Sequence, residues 1–300
     1  MKFEPSYLID SHQHAFWRGR DARGLIEDMD GHGISLAWLL TWEIAPEEDS
    51  PWDYGFLNPE HRRADGTHPG IPLSDLLRTR ELAPERFLLG YCPHPLKGNA
   101  PALLEAAVNM HGVRVCGEWK FRVPFDDPRC IELFRAAGAM NLPVVLHLDV
   151  PYLAGPDGVA QIYQPNWYGG TVENLARALQ ACPQTNFIGH APGFWREISA
   201  DSDAAPEPYP EGPVKAPGRL HKLLEQHANL YADLSANSAL RALKRDSRHA
   251  VEFIETYREK LLFGRDIYGT ALRDFLATLD LAAETVESIS HRNARRLVPV

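Results

Sequence analysis

The chain alternates between short apolar segments of strand character and longer segments with an amphipathic helical pattern. Parallel strands need crossover connections, which are usually helices, so this alternation predicts an α/β fold with a parallel sheet. The predicted strands are Tyr7–Asp10, Ser35–Thr41, Phe87–Tyr91, Val113–Phe121, Pro143–His147, Asn186–His190, Leu230–Leu234 and Lys260–Phe263. The predicted helices include Asp21–His32, Pro101–Met110, Pro128–Asn141, Val172–Cys182 and His249–Tyr257.

The number of strand–helix units indicates how the sheet is arranged. Eight units in 300 residues favour a closed (β/α)8 TIM barrel, with the whole chain, 1–300, as a single domain. No predicted strand is followed by GxGxxG, so a dinucleotide-binding sheet has no support. Three long connections, 42–70, 152–170 and 196–217, follow strand ends, where barrel enzymes build their sites.

The composition excludes some classes of partner and location. The net charge is −9 and no basic tract is present, so neither a nucleic acid nor an anionic membrane surface is an expected partner. No apolar run is long enough to span a bilayer, and the N-terminal MKFEPSYLID lacks the apolar core of a signal peptide. The four cysteines lack CxxC spacing, which favours buried reduced thiols and a cytoplasmic location.

The first strand ends in a His-x-His pair, His12 and His14. Side chains alternate along a strand, so both imidazoles are expected on one side, together with Asp10. Two converging imidazoles suit a divalent transition metal such as zinc, although two ligands do not hold a catalytic ion.

Three further strand ends carry metal-competent side chains. His147 ends the fifth predicted strand, His190 ends the sixth, and Asp266 follows the eighth. Because the carboxyl ends of barrel strands form a ring, these residues are expected to meet the His-x-His pair around one axis. Asp233 ends the seventh strand and is expected to orient one of the histidines.

These segments resemble the amidohydrolase superfamily, specifically the amidohydrolase-related branch that includes aminocarboxymuconate semialdehyde decarboxylases. The resemblance extends from residue 9 to residue 297. It rests on IDSHQH, PVVLH, the GH of FIGHAPGFW, FGRD, and the closing HRNARRLV, which is similar to the family's terminal helix.

The resemblance implies a single divalent metal bound by His12, His14, His147 and Asp266. Zinc is the first expectation, with manganese or iron as alternatives. His190 is then either a further ligand or, as we favour, a catalytic group off the metal. Asp266 is expected both to contact the metal and to move a proton. The family also suggests a homodimer.

The fourth strand offers Glu118 and Lys120 on one face. In the superfamily this position holds a carboxylated lysine, a glutamate ligand or no ligand. We favour Glu118 as a metal ligand or a neighbour of one, and Lys120 as a cation that lines the site. A buried ion pair between the two is the alternative.

Aromatic and cationic residues near the strand ends suggest an anionic small molecule as substrate. The expected substrate-binding residues are Lys120, Trp17, Arg122, Trp195 and Arg265.

The leading hypothesis is therefore a metal-dependent hydrolase that activates water to attack the amide, ester or lactone carbonyl of a small carboxylate-bearing substrate. The alternatives are a non-oxidative decarboxylase of the same family and a catalytically inactive metal-binding barrel. A nuclease of the TatD type ranks low, because Gly-Glu-Trp-Lys replaces its usual Gly-Glu-Ile-Gly and the charge is acidic.

Overall fold

Strands and helices alternate along the computed structural model, which describes residues 3–299. The strands are β1 (Ile9–Gln13), β2 (Leu36–Leu40), β3 (Trp42–Glu43), β4 (Gly70–Ile71), β5 (Phe87–Gly90), β6 (Cys116–Trp119), β7 (Val144–His147), β8 (Tyr152–Ala154), β9 (Gln161–Tyr163), β10 (Phe187–His190), β11 (Leu230–Asp233) and β12 (Leu261–Leu262). The α-helices are α1 (Ala22–Gly31), α2 (Leu73–Leu82), α3 (Ala100–His111), α4 (Pro128–Ala139), α5 (Val172–Ala181), α6 (Pro192–Trp195), α7 (Arg219–Gln226), α8 (Ala236–Lys244), α9 (Ser247–Thr256), α10 (Ala271–Ala277), α11 (Ala283–Glu287) and α12 (Asn293–Leu297).

Eight parallel strands close into a barrel. Three of them form the sheet β1-β2-β5, and five form the sheet β12-β11-β10-β7-β6. Backbone hydrogen bonds join the two sheets at both seams: Arg114 N donates to Leu89 O (2.9 Å), and Ser11 N donates to Phe263 O (3.0 Å). The predicted (β/α)8 barrel is therefore confirmed, with each strand beside the next barrel strand along the chain.

Apolar side chains fill the amino-terminal half of the barrel interior. They alternate along the strands with side chains that pack outward against the helices. The interior set is Ile9, Leu36, Trp38, Leu40, Val115, Val145, Ile188 and Leu262, closed by Ala294 and Leu297 of α12. Since the side-chain period is two, His147 and His190 lie on the interior face directly above Val145 and Ile188.

A register irregularity changes the direction of side chains on β1. The pairing of β1 with β2 shifts between Asp10 and Gln13. An extra residue in a strand breaks the strict alternation, which lets His12 and His14 face the barrel axis. Asp10 instead binds the Arg265 guanidinium (2.7 Å), so the expectation that it shares the histidine side is wrong.

A second irregularity lies on β6, whose pairing with β7 shifts between Cys116 and Trp119. Trp119 packs outward in the layer between strands and helices. Glu118 is buried, and Lys120 lines the cavity at the barrel mouth. Both irregularities thus occur on strands that bring polar side chains into the site.

The long connections contain more structure than the sequence indicates. The 42–70 connection includes the antiparallel pair β3–β4, and the 152–170 connection forms the β8–β9 hairpin. The sequence does not indicate these two- and three-residue strands, because they are too short to show an alternating pattern. The 196–217 excursion is ordered, and its ends pair through a bridge between Ser199 and Pro217.

The closing segment is helical as far as Leu297, as its resemblance suggests: α11 continues through a π-helical turn (Ser288–Arg292) into α12. Within residues 3–299, none of the helices has the length and apolarity that crossing a membrane requires.

Replacing an interior side chain should lower the free energy of unfolding far more than the same replacement on the hairpin. Ile188 is 1% exposed inside the barrel, whereas Ile162 is 46% exposed. We expect Ile188→Ala to cost about 2–5 kcal/mol through lost burial and a residual cavity. Ile162→Ala should cost less than about 1 kcal/mol. Urea unfolding of both variants measures the difference, and equal losses would contradict this account of the core.

Candidate metal centre

Six polar side chains converge at the carboxyl ends of the barrel strands: His12 from β1, His14 just after it, Glu118 from β6, His147 and His190 from the ends of β7 and β10, and Asp266 after β12. They lie at the base of a cavity of about 260 Å³ in the barrel mouth, lined in part by His190 and Asp266. This is the position where barrel enzymes place their chemistry.

Potential metal ligands form three overlapping groups, and the ligand atoms within each group lie within 4.8 Å of one another. The groups are His12–His190–Asp266, His12–His14–Glu118 and Glu118–His147–His190. Since members are shared, the groups describe one site. The sequence-predicted ligands His12, His14, His147, Asp266 and Glu118 are brought together, and His190 lies among them.

Hydrogen bonds orient three of the imidazoles. Nδ1 of His12 lies 2.8 Å from Asp233 Oδ2, and Nδ1 of His190 lies 3.0 Å from Asp233 Oδ1. Nδ1 of His14 lies 2.8 Å from the Leu40 carbonyl oxygen. A neutral imidazole that donates through Nδ1 keeps its lone pair on Nε2, so all three present Nε2 as a metal-binding atom.

The Nε2 atom of His12 is the clearest indication that an ion belongs here. It is buried and has no hydrogen-bond partner among the described residues. The nearest carboxylate oxygen with which it forms an ion-pair contact, Glu118 Oε1, is 3.8 Å away. Buried polar atoms are rarely left without a partner, and a metal ion would satisfy this one. The donor set of imidazole nitrogens and carboxylate oxygens fits zinc, manganese or iron.

Glu118 faces two histidines with its two oxygens. Oε1 lies 2.6 Å from His147 Nδ1, and Oε2 lies 3.6 Å from His14 Nε2. Burial works to raise the pKa of Glu118, but the imidazoles of His147 and His12 and the Lys120 ammonium hold that pKa well below its usual range. Glu118 is therefore ionised and available to a cation.

The other two carboxylates behave in the same way. Against the effect of burial, His190 and His12 lower the pKa of Asp233, and His14 and His12 lower the pKa of Asp266. In return, although burial opposes it, these carboxylates raise the pKa of His12 to about 10. These ionised carboxylates therefore favour positive charge in the site, which bound protons or a metal ion can supply.

His147 is held differently from the other histidines. Its Nδ1 faces Glu118, and its Nε2 lies 2.9 Å from Asp149 Oδ2. Both ring nitrogens therefore contact carboxylates, and it joins the candidate ligand groups only through Glu118 and His190.

The loops that follow the barrel strands hold strained backbone. Among the described residues, most non-glycine residues with positive φ lie just beyond strands β1, β10, β11 and β12: Phe16, Arg18, Ala191, Ala236 and Asp266. Such conformations are costly and concentrate at functional sites. The φ of 56° at Asp266 is accompanied by a hydrogen bond of 2.5 Å from Trp17 Nε1 to the Asp266 carbonyl oxygen.

The predicted substrate-binding residues separate into two groups. Trp17 and Lys120 line the cavity. Trp195 and Arg265 do not, and for these two the prediction is wrong. Trp195 is fully buried and donates through Nε1 to the Asp233 carbonyl oxygen (3.1 Å). Arg265 points away from the cavity and pairs with Asp10 and Asp28, both at 2.7 Å.

Arg122 lies behind the cavity wall. Its Nη2 donates to the Glu48 carbonyl oxygen (3.0 Å) and to Asn166 Oδ1 (3.2 Å), and Asn166 lines the cavity. A role for Arg122 in substrate binding therefore remains a prediction.

Much of the cavity wall comes from residues that the sequence does not single out. The aromatic members are Trp52, Phe56, Tyr168 and Tyr209, and polar members include Asp53, Asp149 and Asn166. They come from the long connections, where no periodic pattern indicates which side chains face inward. Ser235, whose hydroxyl lies 2.7 Å from His190 Nδ1, was signalled only by its nearness to Asp233.

No protein-family model matches this chain, and no curated protein matches it. Solved structures do. The chain is similar to 5-carboxyvanillate decarboxylase from Sphingomonas paucimobilis, with 16% identity, a TM-score of 0.59, and coverage of 98% of this chain and 99% of that chain. A probable 2-pyrone-4,6-dicarboxylic acid hydrolase from Acinetobacter baumannii matches with 13% identity, a TM-score of 0.59, and coverage of 97% and 98%.

A third structure holds a metal. The dihydroxybenzoic acid decarboxylase from Polaromonas sp. JS666, with bound manganese and the inhibitor 2-nitroresorcinol, matches with 18% identity, a TM-score of 0.57, and coverage of 97% of this chain and 96% of that chain. At these identities the likeness concerns the fold. The chain shares the TIM-barrel fold of these structures over nearly its whole length.

Proposed function

We propose that this protein is a metal-dependent hydrolase of the amidohydrolase type, acting on the amide, ester or lactone carbonyl of a small carboxylate-bearing molecule. The observation that carries the proposal is the convergence of three Nε2 atoms, those of His12, His14 and His190, with the carboxylates of Glu118 and Asp266 at the barrel mouth. The fold likeness to hydrolases and decarboxylases supports it.

His12, His14, Glu118 and Asp266 are the proposed metal ligands, with His147 as a further candidate through its contact with Glu118. A divalent ion in this position would supply a Lewis acid that polarises a carbonyl oxygen and lowers the pKa of a bound water to about 7. Zinc is the first candidate, and manganese is supported by its presence in a structure of the same fold.

Asp266 and His190 are the proposed proton carriers. Asp266 lines the cavity, and its Oδ2 lies 3.8 Å from His190 Nε2. Water adds to the substrate carbonyl carbon, and the bond to the leaving nitrogen or oxygen breaks. One water proton passes through Asp266 or His190 to that leaving atom.

Lys120 is the proposed anchor for the substrate carboxylate. Its Nζ lies 3.7 Å from the centroid of the Trp42 ring and 5.2 Å from that of Tyr168. No described carboxylate forms an ion pair with it. The raised pKa of Lys120, to which Tyr168 and Glu118 contribute against the effect of burial, keeps it cationic. A cation that lines the cavity without a paired anion favours an anionic substrate.

Decarboxylation is the second candidate function. The same cation and metal site would hold a carboxylate that leaves as CO2, and decarboxylases are among the structures of the same fold. Product analysis separates the two reactions, since hydrolysis adds water and decarboxylation releases CO2.

Four buried free thiols are consistent with a reducing compartment, which supports the proposed cytoplasmic location. The homodimer remains a prediction.

Loss of the metal or of a ligand should abolish the reaction. Activity against a panel of esters, lactones, amides and carboxylates should disappear after chelation and return with zinc or manganese. His12→Asn and Asp266→Asn should lower kcat/KM at least about a thousandfold, because the attacking water is no longer activated. His111→Asn, at the end of α3, is the matched control. An unchanged rate in His12→Asn would overturn the metal mechanism, and CO2 as product would select the second candidate.

Asp233 should control metal affinity without touching the ion. Its two oxygens hold the Nδ1 atoms of both His12 and His190, and an amide cannot accept both bonds. Asp233→Asn should weaken zinc binding about 10- to 100-fold in a chelator competition, and Asp157→Asn on the hairpin should not. Affinity should also fall as the pH is lowered, because protons compete for the same nitrogens. Equal affinity in both variants would argue against this role.

Removing the Lys120 charge should weaken substrate binding more than turnover. We expect Lys120→Met to raise KM for a carboxylate substrate about tenfold or more, with a smaller change in kcat. For the methyl ester of the same carboxylate, the substitution should leave KM nearly unchanged. If both compounds lose equally, Lys120 has a structural role instead.

A further inference from the structure

A second cavity adjoins the candidate site. This side chamber, of about 390 Å³, lies between the β8–β9 hairpin and the 196–217 excursion. It shares four lining residues with the site cavity: Asp149, Asn166, Pro192 and Tyr209. The two spaces therefore meet along one side of the metal centre.

The side chamber is mainly apolar. Its own wall includes the side chains of Val150, Leu153, Pro165 and Pro208. At roughly 30 Å³ for each water-sized group, its volume accommodates on the order of ten non-hydrogen atoms. A hydrocarbon segment would replace water against this wall favourably.

One charged side chain, that of Arg196, interrupts this apolar wall. Arg196 lines the side chamber, is 5% exposed, and forms no ion pair with a described carboxylate. Its hydrogen bonds run through Nη2 alone, to the carbonyl oxygens of Ser202 and Ala205. Burial lowers the pKa of Arg196, which reflects the cost of keeping this cation out of water, and the nearby carboxylates of Glu197, Asp203 and Asp149 oppose this shift only in part. An anion in the chamber would offset that cost.

Arg196 stands at the end of the chamber away from the metal centre. It is absent from the lining of the site cavity, and together with Val150 and Leu153 it also lines a third pocket that adjoins the side chamber. A molecule that enters the chamber from the metal centre would therefore pass the apolar wall first and reach the guanidinium last.

We propose that the side chamber is an extended substrate subsite, in which a distal carboxylate carried on an apolar spacer pairs with Arg196. The inference rests on the proposed function, because the other end of the substrate lies at Lys120 and the metal centre. The favoured substrate is an elongated molecule with an acidic group at each end and the scissile carbonyl between them.

Binding of unreactive probes tests this inference independently of catalysis. Straight-chain α,ω-dicarboxylates from glutarate to azelate and monocarboxylates of equal carbon number are titrated calorimetrically into the full-length protein as purified. At one chain length we expect the dicarboxylate to bind about tenfold more tightly than its monocarboxylate partner, through a charge-assisted pair. Wild-type protein without such a preference at any length would overturn the proposal.

Variants of the chamber residues test whether the preference for dicarboxylates arises at Arg196. Arg196→Met should reduce the preference to within about twofold, and Arg196→Lys should restore part of it. Arg248→Met, on the exposed side of α9, is the matched control and should leave the preference unchanged. Leu153→Trp, which fills the chamber without removing Arg196, should abolish the preference as well. Retention of the preference in Arg196→Met or in Leu153→Trp would overturn the proposal, even if ester hydrolysis is confirmed.

Discussion

The seam between β1 and β12 is the contact on which the site depends. Ser11 N donates to Phe263 O where the barrel closes, and a few residues on, Asp266 N donates to His12 O (2.8 Å). One hydrogen-bonded crossing therefore joins the first predicted ligand to the last, although more than 250 residues of chain separate them. Gly264 permits this approach, because a Cβ there would lie 3.2 Å from His12 Cβ and Ser235 Cβ. Ring closure turns separate strand ends into one site.

The electrostatics of the site follow from the carboxylates and imidazoles that closure of the barrel brings together. Glu118 and Asp233 are buried and Asp266 is partly buried, with four imidazoles around them, and each carboxylate remains ionised because a histidine faces it. Asp233 serves two imidazoles at once, one with each oxygen. Tautomer, ring orientation and charge are consequently set by the same carboxylate, as is usual for histidines prepared to bind metal.

The sequence predicts most of the fold through local periodicity, and it predicts the candidate ligands through their position at strand ends together with the family resemblance. His147 and His190 follow interior residues at a spacing of two, so their direction could be inferred. Arg265 could not be placed this way: it is adjacent to Asp266, but its side chain turns to the acidic residues behind the barrel wall. The register shifts on β1 and β6 and the short hairpin strands leave no periodic signal, since they arise from tertiary pairing. The cavity wall was accordingly least predictable where loops supply it.

Candidate ligands and the side chamber come from different parts of the chain, and this separation has a consequence for evolution. The candidate metal ligands are at barrel strand ends, whereas the side chamber takes its walls from the hairpin and from the segments that follow β7 and β10. Mutation, insertion or exchange in those connections can change which molecule is accepted while the chemical machinery is inherited intact. Proteins that descend from such a barrel can therefore change their substrate specificity before they change the reaction that they catalyse.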